Sequence, residues 1–316
     1  MSIIRQIRRL KFSYALYNFF NREKLAHNIP VYKKIGLKKK YFSPVSSKDF
    51  NGIDEKQFFE IPAMPVEQTV FYKHAEEATR QSIKSFDDVG YAILKGFLTS
   101  EQVDAANKEI DELLKAGKIK FRYGNKIMFA IHQSELLTKI GIKPELLELL
   151  SSMIKGNAVL FQSINFFTGS EQHTHSDSIH MTTFPLGGLL GVWIALEDIG
   201  PEQGPLHYYP GSHKLPYYLN SDYDNEGTRF MIGDKDYSAY EEMLDEKLKE
   251  KQLTKQVFTA KKGDLLIWHA NLLHGGEPHI NKEKTRKSMV FHYFNENHIC
   301  YHEITQRPAL IYKKYR

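Results

Sequence analysis

Thiol chemistry is nearly absent from this chain. Its one cysteine, Cys300, can neither close a disulfide within the chain nor build a thiolate-bound metal cluster. A transition metal held here therefore needs imidazole and carboxylate ligands, and 14 histidines are available. Long apolar runs are missing as well: nothing approaches the roughly 18–20 continuous apolar residues that span a bilayer. The N-terminus lacks the apolar segment of a secretory signal, so a cytoplasmic location is expected. Acids are almost missing from the first 40 residues, where Glu23 stands alone against 11 Lys and Arg. The other 276 residues carry 32 basic and 37 acidic side chains, so the body is mildly acidic. That balance argues against nucleic acid as a partner, which needs a basic face on the folded body.

What the chain does have is aromatic bulk, 20 Phe and 18 Tyr, which suits packing between β-sheets. Residues 1–75 read as a basic N-terminal extension. In residues 3–20, Ile3, Ile7, Leu10 and Tyr14 fall on one side of a helix, with Arg5, Arg8, Arg9 and Lys11 elsewhere. Two readings of residues 1–40 stay open: a helix packed on the body, or a membrane-surface, organellar or protein contact. Pro30, Pro44, Pro62 and Pro65 interrupt residues 31–75, which read as extended connections. His74 to Phe86 predicts a helix and Gly90–Phe97 a strand. Thr99 to Gln102 is a capping box, opening a helix with Val103, Ala106, Ile110, Leu113 and Leu114 as its apolar stripe. Pro144 opens another.

From residue 157 short apolar runs alternate with turn residues: 158–167, 189–196, 206–209, 256–259, 264–269 and 288–294. That pattern predicts a mainly β domain with flanking helices, a sandwich or jelly roll. The domain is expected over 76–300, with a charged helical insert near 236–255 and a tail at 301–316.

Within it, His175-Ser176-Asp177 is a candidate metal motif, since residues i and i+2 of a strand face one side. Alone it is weak, because roughly two His-x-acid pairs are expected by chance in this composition. The other, His74-Ala75-Glu76, lies on an expected helix, where i and i+2 diverge. His173 shares the strand face and is an alternative ligand. Further on, Trp268-His269-Ala270-Asn271-Leu272-Leu273-His274-Gly275-Gly276 delivers a histidine just before two glycines, which permit close backbone approach. Two His and a carboxylate on one face of a metal form the facial triad of non-haem Fe(II) oxygenases. Arg286, twelve residues later, enters an apolar strand, where a guanidinium needs an anion.

The run QHTHSDS, then VWIALEDIGPEQGPLHYYPGSHK, KKGDLLIWHANLLHGG and RKSMVFHYF, resembles the phytanoyl-CoA dioxygenase family, as does the earlier FDDVGYAILKGFLTSEQVDAANKEIDELL. The resemblance covers about residues 78–295. It implies a double-stranded β-helix (a cupin-like jelly roll) with Fe(II) on His175, Asp177 and His274. It also implies Arg286 on the distal carboxylate of 2-oxoglutarate, Trp193 beside that co-substrate and Gln162 in hydrogen-bond reach. The activity implied is hydroxylation of a small organic substrate by O₂, with succinate and CO₂ as co-products. Two positions depart from the family pattern. Gly276 stands where a serine is frequent, which removes one hydroxyl contact to the co-substrate, and Gln203 replaces an asparagine. Asp177 argues against the halogenating branch, which leaves that position open. Trp268, His269 and His292 read as ordinary buried strand residues, and His180 as pocket wall or surface. The segment 118–135, with Arg122, Tyr123 and Asn125 as its polar candidates, and the loop from His180 to Leu189 are expected at the mouth. The rival readings are a cupin-like metalloenzyme that does not use 2-oxoglutarate, and a non-catalytic scaffold docked through the basic N-terminus.

Overall fold

The computed structural model describes residues 9–58 and 64–315. Ile3, Arg5, Ile7, Arg8 and Pro62 of the expectations above lie outside the described residues. The strands are β1 Tyr91–Leu94, β2 Phe121–Arg122, β3 Lys126–Met128, β4 Ala158–Phe166, β5 Met181–Phe184, β6 Leu189–Ala195 and β7 Leu206–Tyr208. They continue with β8 Gln256–Phe258, β9 Leu265–His269, β10 His274–Gly276, β11 Ser288–Asn295, β12 Ile299–His302 and β13 Arg307–Pro308. One antiparallel sheet runs β1-β9-β6-β11-β4-β3-β2; opposite it lies β10-β7-β8, and β13-β12-β5 forms a third. This is a jelly roll with flanking helices, as expected.

Period-two alternation gives the large sheet its two faces. Leu190, Val192 and Ile194 of β6, Leu265 and Ile267 of β9, and Met289, Phe291 and Tyr293 of β11 point outward into the helical layer. Trp193, Leu266, Trp268 and Val290 point inward and meet Leu206, Tyr208 and Phe258 of the opposite sheet. The helical layer includes Ser100–Lys115 and Pro144–Met153. The first begins at the expected capping box, with the Gln102 amide donating to Thr99 Oγ1 at 3.3 Å and the Thr99 amide to Gln102 Oε1 at 3.1 Å. It buries Val103, Ala106, Ile110 and Leu113.

The expected helix from His74 to Phe86 is broken into Val70–His74, Glu77–Lys84 and Phe86–Val89, because Ala75 takes an extended conformation at ψ 152°. Residues 31–75 are less extended than expected, with helical turns at Ser47–Phe50, Glu55–Phe58 and Val66–Gln68. Tyr32, Val45 and Phe50 of this part pack on Phe184, Ile299 and Tyr301. The helix Lys11–Phe19 is tied down by the Lys11 amide on the Phe230 carbonyl at 2.9 Å. Phe12, Leu16, Tyr17 and Phe19 on it, and Phe20 just beyond, are half or more exposed. The helix Tyr237–Lys251 buries Tyr240 and Leu244 against Ile179 and Leu273, next to the His175–Asp177 segment. Residues 301–315, the described part of what reads from sequence as a tail at 301–316, are woven into the third sheet through the β12–β13 pairing, and Ile311 is buried beside Val159.

Candidate metal centre and its cavity

His175, Asp177 and His274 meet inside the roll with their ligand atoms all within 4.8 Å of one another. The strand expected through His175 and Asp177 is shortened to a single bridge. His175 pairs with His274 through two amide–carbonyl bonds of 2.8 and 2.9 Å, whereas Asp177 opens a helical turn, Asp177–Ile179. The turn forms because Ser176 Oγ accepts from the Ser178 amide at 3.1 Å, while the Ser176 amide donates to Tyr240 Oη at 3.2 Å. The tight pairing needs the two glycines after His274. A Cβ on Gly275 would stand 2.7 Å from the Gln172 carbonyl, and one on Gly276 would stand 2.5 Å from Ser170 Oγ. No serine fits at 276 unless residues 170–172 move.

Hydrogen bonding fixes which atoms remain for a metal. His175 Nδ1 lies 2.8 Å from the His173 carbonyl and His274 Nδ1 lies 2.9 Å from the Leu272 carbonyl. A carbonyl only accepts, so each Nδ1 carries the proton and each Nε2 presents a lone pair. Asp177 Oδ2 accepts from Trp268 Nε1 at 2.7 Å and lies 3.3 Å from His292 Nε2. Oδ1 is left, 3.8 Å from His175 Nε2 and 3.7 Å from His274 Nε2. Two nitrogens and one oxygen thus converge. Burial works to raise the Asp177 carboxyl, but His274, His292 and His175 outweigh it and hold the group well below the usual carboxylate range. Burial and the neighbouring His274 push His175 well below its ordinary value, so it is neutral. Ionised Asp and neutral His are the forms that bind a divalent metal.

The three residues line a cavity of about 430 Å³ that also takes in Gln162, Trp193 and Arg286. Arg286 is 2% exposed; its Nε donates to the Gly204 carbonyl at 3.1 Å and its Nη1 to Ser288 Oγ at 2.8 Å. Its guanidinium lies over the rings of Phe166 and Trp193, at 5.7 and 5.5 Å. Burial lowers it to about 10, with Glu197 working the other way, so it stays a cation at neutral pH. Trp193 Nε1 is buried without a hydrogen-bond partner. A buried donor facing a cavity is costly unless an occupant accepts from it. A bidentate acid suits the pair, so the residues present fit both a metal and a dicarboxylate.

All six sequence-derived site residues therefore face one space. His173 does not: it is exposed, and its carbonyl serves His175. His74 is far from this site in use, its Nδ1 2.9 Å from the Val70 carbonyl. Of the expected mouth segment 118–135, Tyr123, Lys126 and Met128 line the cavity; Asn125 donates instead to Thr168 Oγ1 and the Gly169 carbonyl at 2.9 and 2.8 Å, and Arg122 sits outside. From the loop after His180, His180 and Met181 reach it. Sequence reasoning missed Trp268 and His292, which grip Asp177. Their inward register on β9 and β11 was the available signal. It also missed His302, Thr305 and Arg307, which complete the wall with Lys126 of the expected mouth segment.

With this geometry in place, comparisons with known proteins become informative. A family model described as "Phytanoyl-CoA dioxygenase (PhyH)" matches residues 86–288. A zebrafish (Danio rerio) protein named phytanoyl-CoA dioxygenase domain-containing protein 1 is 25% identical over 273 residues, 68% of this chain and 89% of the relative. An ectoine dioxygenase of Stutzerimonas stutzeri is 24% identical over 237 residues, 67% of this chain and 75% of the relative. Among solved structures, SnoK, a non-heme α-ketoglutarate-dependent carbocyclase from nogalamycin biosynthesis, is similar with a TM-score of 0.59 at 16% identity, covering 76% of this chain and 90% of SnoK. EctD from S. alaskensis, solved with 2-oxoglutarate and 5-hydroxyectoine, has a TM-score of 0.53 at 20% identity, covering 74% and 82%.

Proposed function

The chain belongs to the phytanoyl-CoA dioxygenase family, and on that premise we propose that it is an Fe(II)- and 2-oxoglutarate-dependent dioxygenase hydroxylating a small organic substrate. One observation carries the reading: with both Nδ1 protons given to backbone carbonyls and Asp177 Oδ2 taken by Trp268 and His292, His175 Nε2, His274 Nε2 and Asp177 Oδ1 converge within 4.8 Å, and only the Gln172 amide, 3.1 Å from His175 Nε2, would have to yield to a metal. Ferrous iron, when bound, supplies the redox chemistry that couples O₂ reduction to decarboxylation of 2-oxoglutarate. One oxygen atom goes to succinate and the other to the substrate C–H bond, with CO₂ released.

The chain's own residues do the rest. His175, His274 and Asp177 fill one face of the metal and leave the opposite face to small molecules. Trp268 and His292 hold Asp177 by one oxygen, which fixes its orientation. Arg286 anchors the distal carboxylate of 2-oxoglutarate, with Ser288 and the Gly204 carbonyl holding the guanidinium in place. Trp193 donates its free N–H toward the same region, and Gln162 lies in reach on β4. The apolar lining from Met128, Ile164 and Val290 keeps water from the reacting centre.

The test is an anaerobic titration of the purified protein with Fe(II) and 2-oxoglutarate, followed by admission of air. A visible metal-to-ligand charge-transfer band and then succinate are expected, and Asp177→Ala or His274→Ala should abolish both. A wild-type protein that shows no band at saturating iron and 2-oxoglutarate overturns the reading.

A further inference from the structure

Lys126 and Arg307 face the cavity, and neither makes an ion pair among the described residues. Lys126 Nζ donates to Gln172 Oε1 at 2.9 Å and lies 6.0 Å from the centre of the Phe166 ring. Arg307 Nε donates to Thr305 Oγ1 at 3.1 Å, and its guanidinium lies 5.3 Å from the centre of the Tyr14 ring. Both are held by neutral groups. His180 and His302 stand in the same lining, with rings 6.0 Å apart. All four side chains line the same cavity. Burial lowers His180 to about 4 and His302 well below its ordinary range, so neither adds charge at neutral pH.

Asp177 is the one acid in the cavity wall among the described residues. A ferrous ion, the Asp177 carboxylate, 2-oxoglutarate as a dianion and the Arg286 guanidinium together carry no net charge. Lys126 and Arg307, each partly buried, then add two positive charges to a lining whose one acid is Asp177, which favours entry of an anion. Tyr123 and Asn125 offer no such counter-charge. Meanwhile Met128, Ile164 and Met181 supply an apolar surface for the remainder of a guest.

We propose that the substrate is an organic anion whose carboxylate or phosphate is drawn to the cationic lining supplied by Lys126 and Arg307, with its apolar part in the remainder of the cavity. The inference rests on the dioxygenase reading for the charge count. It makes Lys126 and Arg307 specificity-determining residues, and it gives the cavity a second anion subsite besides the one at Arg286. Tyr14 brings the N-terminal helix into that subsite by backing Arg307.

The experiment loads the full chain anaerobically with Fe(II) and 2-oxoglutarate and titrates hexanoate, hexyl phosphate and hexan-1-ol by calorimetry. The charge-transfer band is followed in parallel. At least one anion should bind tenfold or more tightly than the alcohol, and whichever does so identifies carboxylate or phosphate as the recognised group. Lys126→Gln and Arg307→Gln should each lower that anion's affinity tenfold or more while the band persists. Lys126→Arg, which keeps the charge, should retain most of the binding and guards against a loss through misfolding. An alcohol that binds as well as both anions, or a preference that survives both glutamine variants, overturns the subsite. Absence of the band in the wild type removes the co-substrate reading instead, so the two failures are told apart.

Discussion

Asp177 shows how much a single side chain here depends on its neighbours. Its Oδ2 is taken by Trp268 and His292, which leaves Oδ1 for the metal. Trp268→Phe keeps an aromatic ring, though a smaller one, and removes the donor, and should weaken Fe(II) binding about 10–100-fold with the fold intact. Metal titration checks this, and unchanged affinity would mean the indole serves packing alone. Arg286→Ala should raise the 2-oxoglutarate requirement at least tenfold, since the loss of a buried charged partner costs about 2–5 kcal/mol. Unaltered turnover at limiting 2-oxoglutarate would favour a cupin-like enzyme that does not use it. Away from the metal, Glu303 is fully buried, and burial pushes its carboxyl up to about 7 despite hydrogen bonds from the Asn220 amide and Ser47 Oγ. The folded state therefore keeps a proton that the unfolded chain gives up above its ordinary value of 4.5. Stability should fall as pH rises from there to about 7 and then level off, by roughly 3 kcal/mol in all. Glu303→Gln should flatten that limb in denaturant titrations across pH, and an unchanged slope counts against the assignment.

Elements outside the β-roll are more than decoration. The segment around Ser47–Phe50 stacks Phe50 on Phe184, with ring centres 4.2 Å apart and planes 2° from parallel, beside Tyr301. Phe50→Ala should cost about 3–5 kcal/mol, the range for a buried phenylalanine, read by chemical unfolding. A loss below about 1 kcal/mol would show that the N-terminal part sits loosely on the body. The helix Tyr237–Lys251 was legible from its charged, helix-prone composition. Its contact with the metal segment through Tyr240 was not, because composition says nothing about which buried face meets which neighbour. The opposite case is the His175–Asp177 segment. Its spacing predicted a strand with both side chains on one face, yet the chain delivers the same convergence by a bridge and a helical turn.

At the scale of the whole molecule, the metal centre joins segments far apart in sequence, so ligand binding should stabilise the fold globally. Saturating Fe(II) with 2-oxoglutarate at about 100 times the dissociation constant adds roughly 2.7 kcal/mol through mass action alone. A rise of several degrees in the thermal midpoint is expected, reversed by a chelator and absent in Asp177→Ala. If the midpoint stays fixed while the charge-transfer band forms, binding is not confined to the folded site.

The sequence by itself determined the alternation that builds the two sheet faces and the capping box at Thr99, and its resemblance to the family singled out His175, Asp177, His274 and Arg286. The first two are local patterns, set by the period of a strand and the orphan amides of a helix end. Only the tertiary structure decided which indole and imidazole hold Asp177, that His173 turns away, and that Lys126 and Arg307 close the cavity from opposite ends of the domain. The reason is physical. Those relations depend on sheet register and on β12 pairing with β5 and β13, and such long-range pairings leave no mark in the neighbouring residues of either partner.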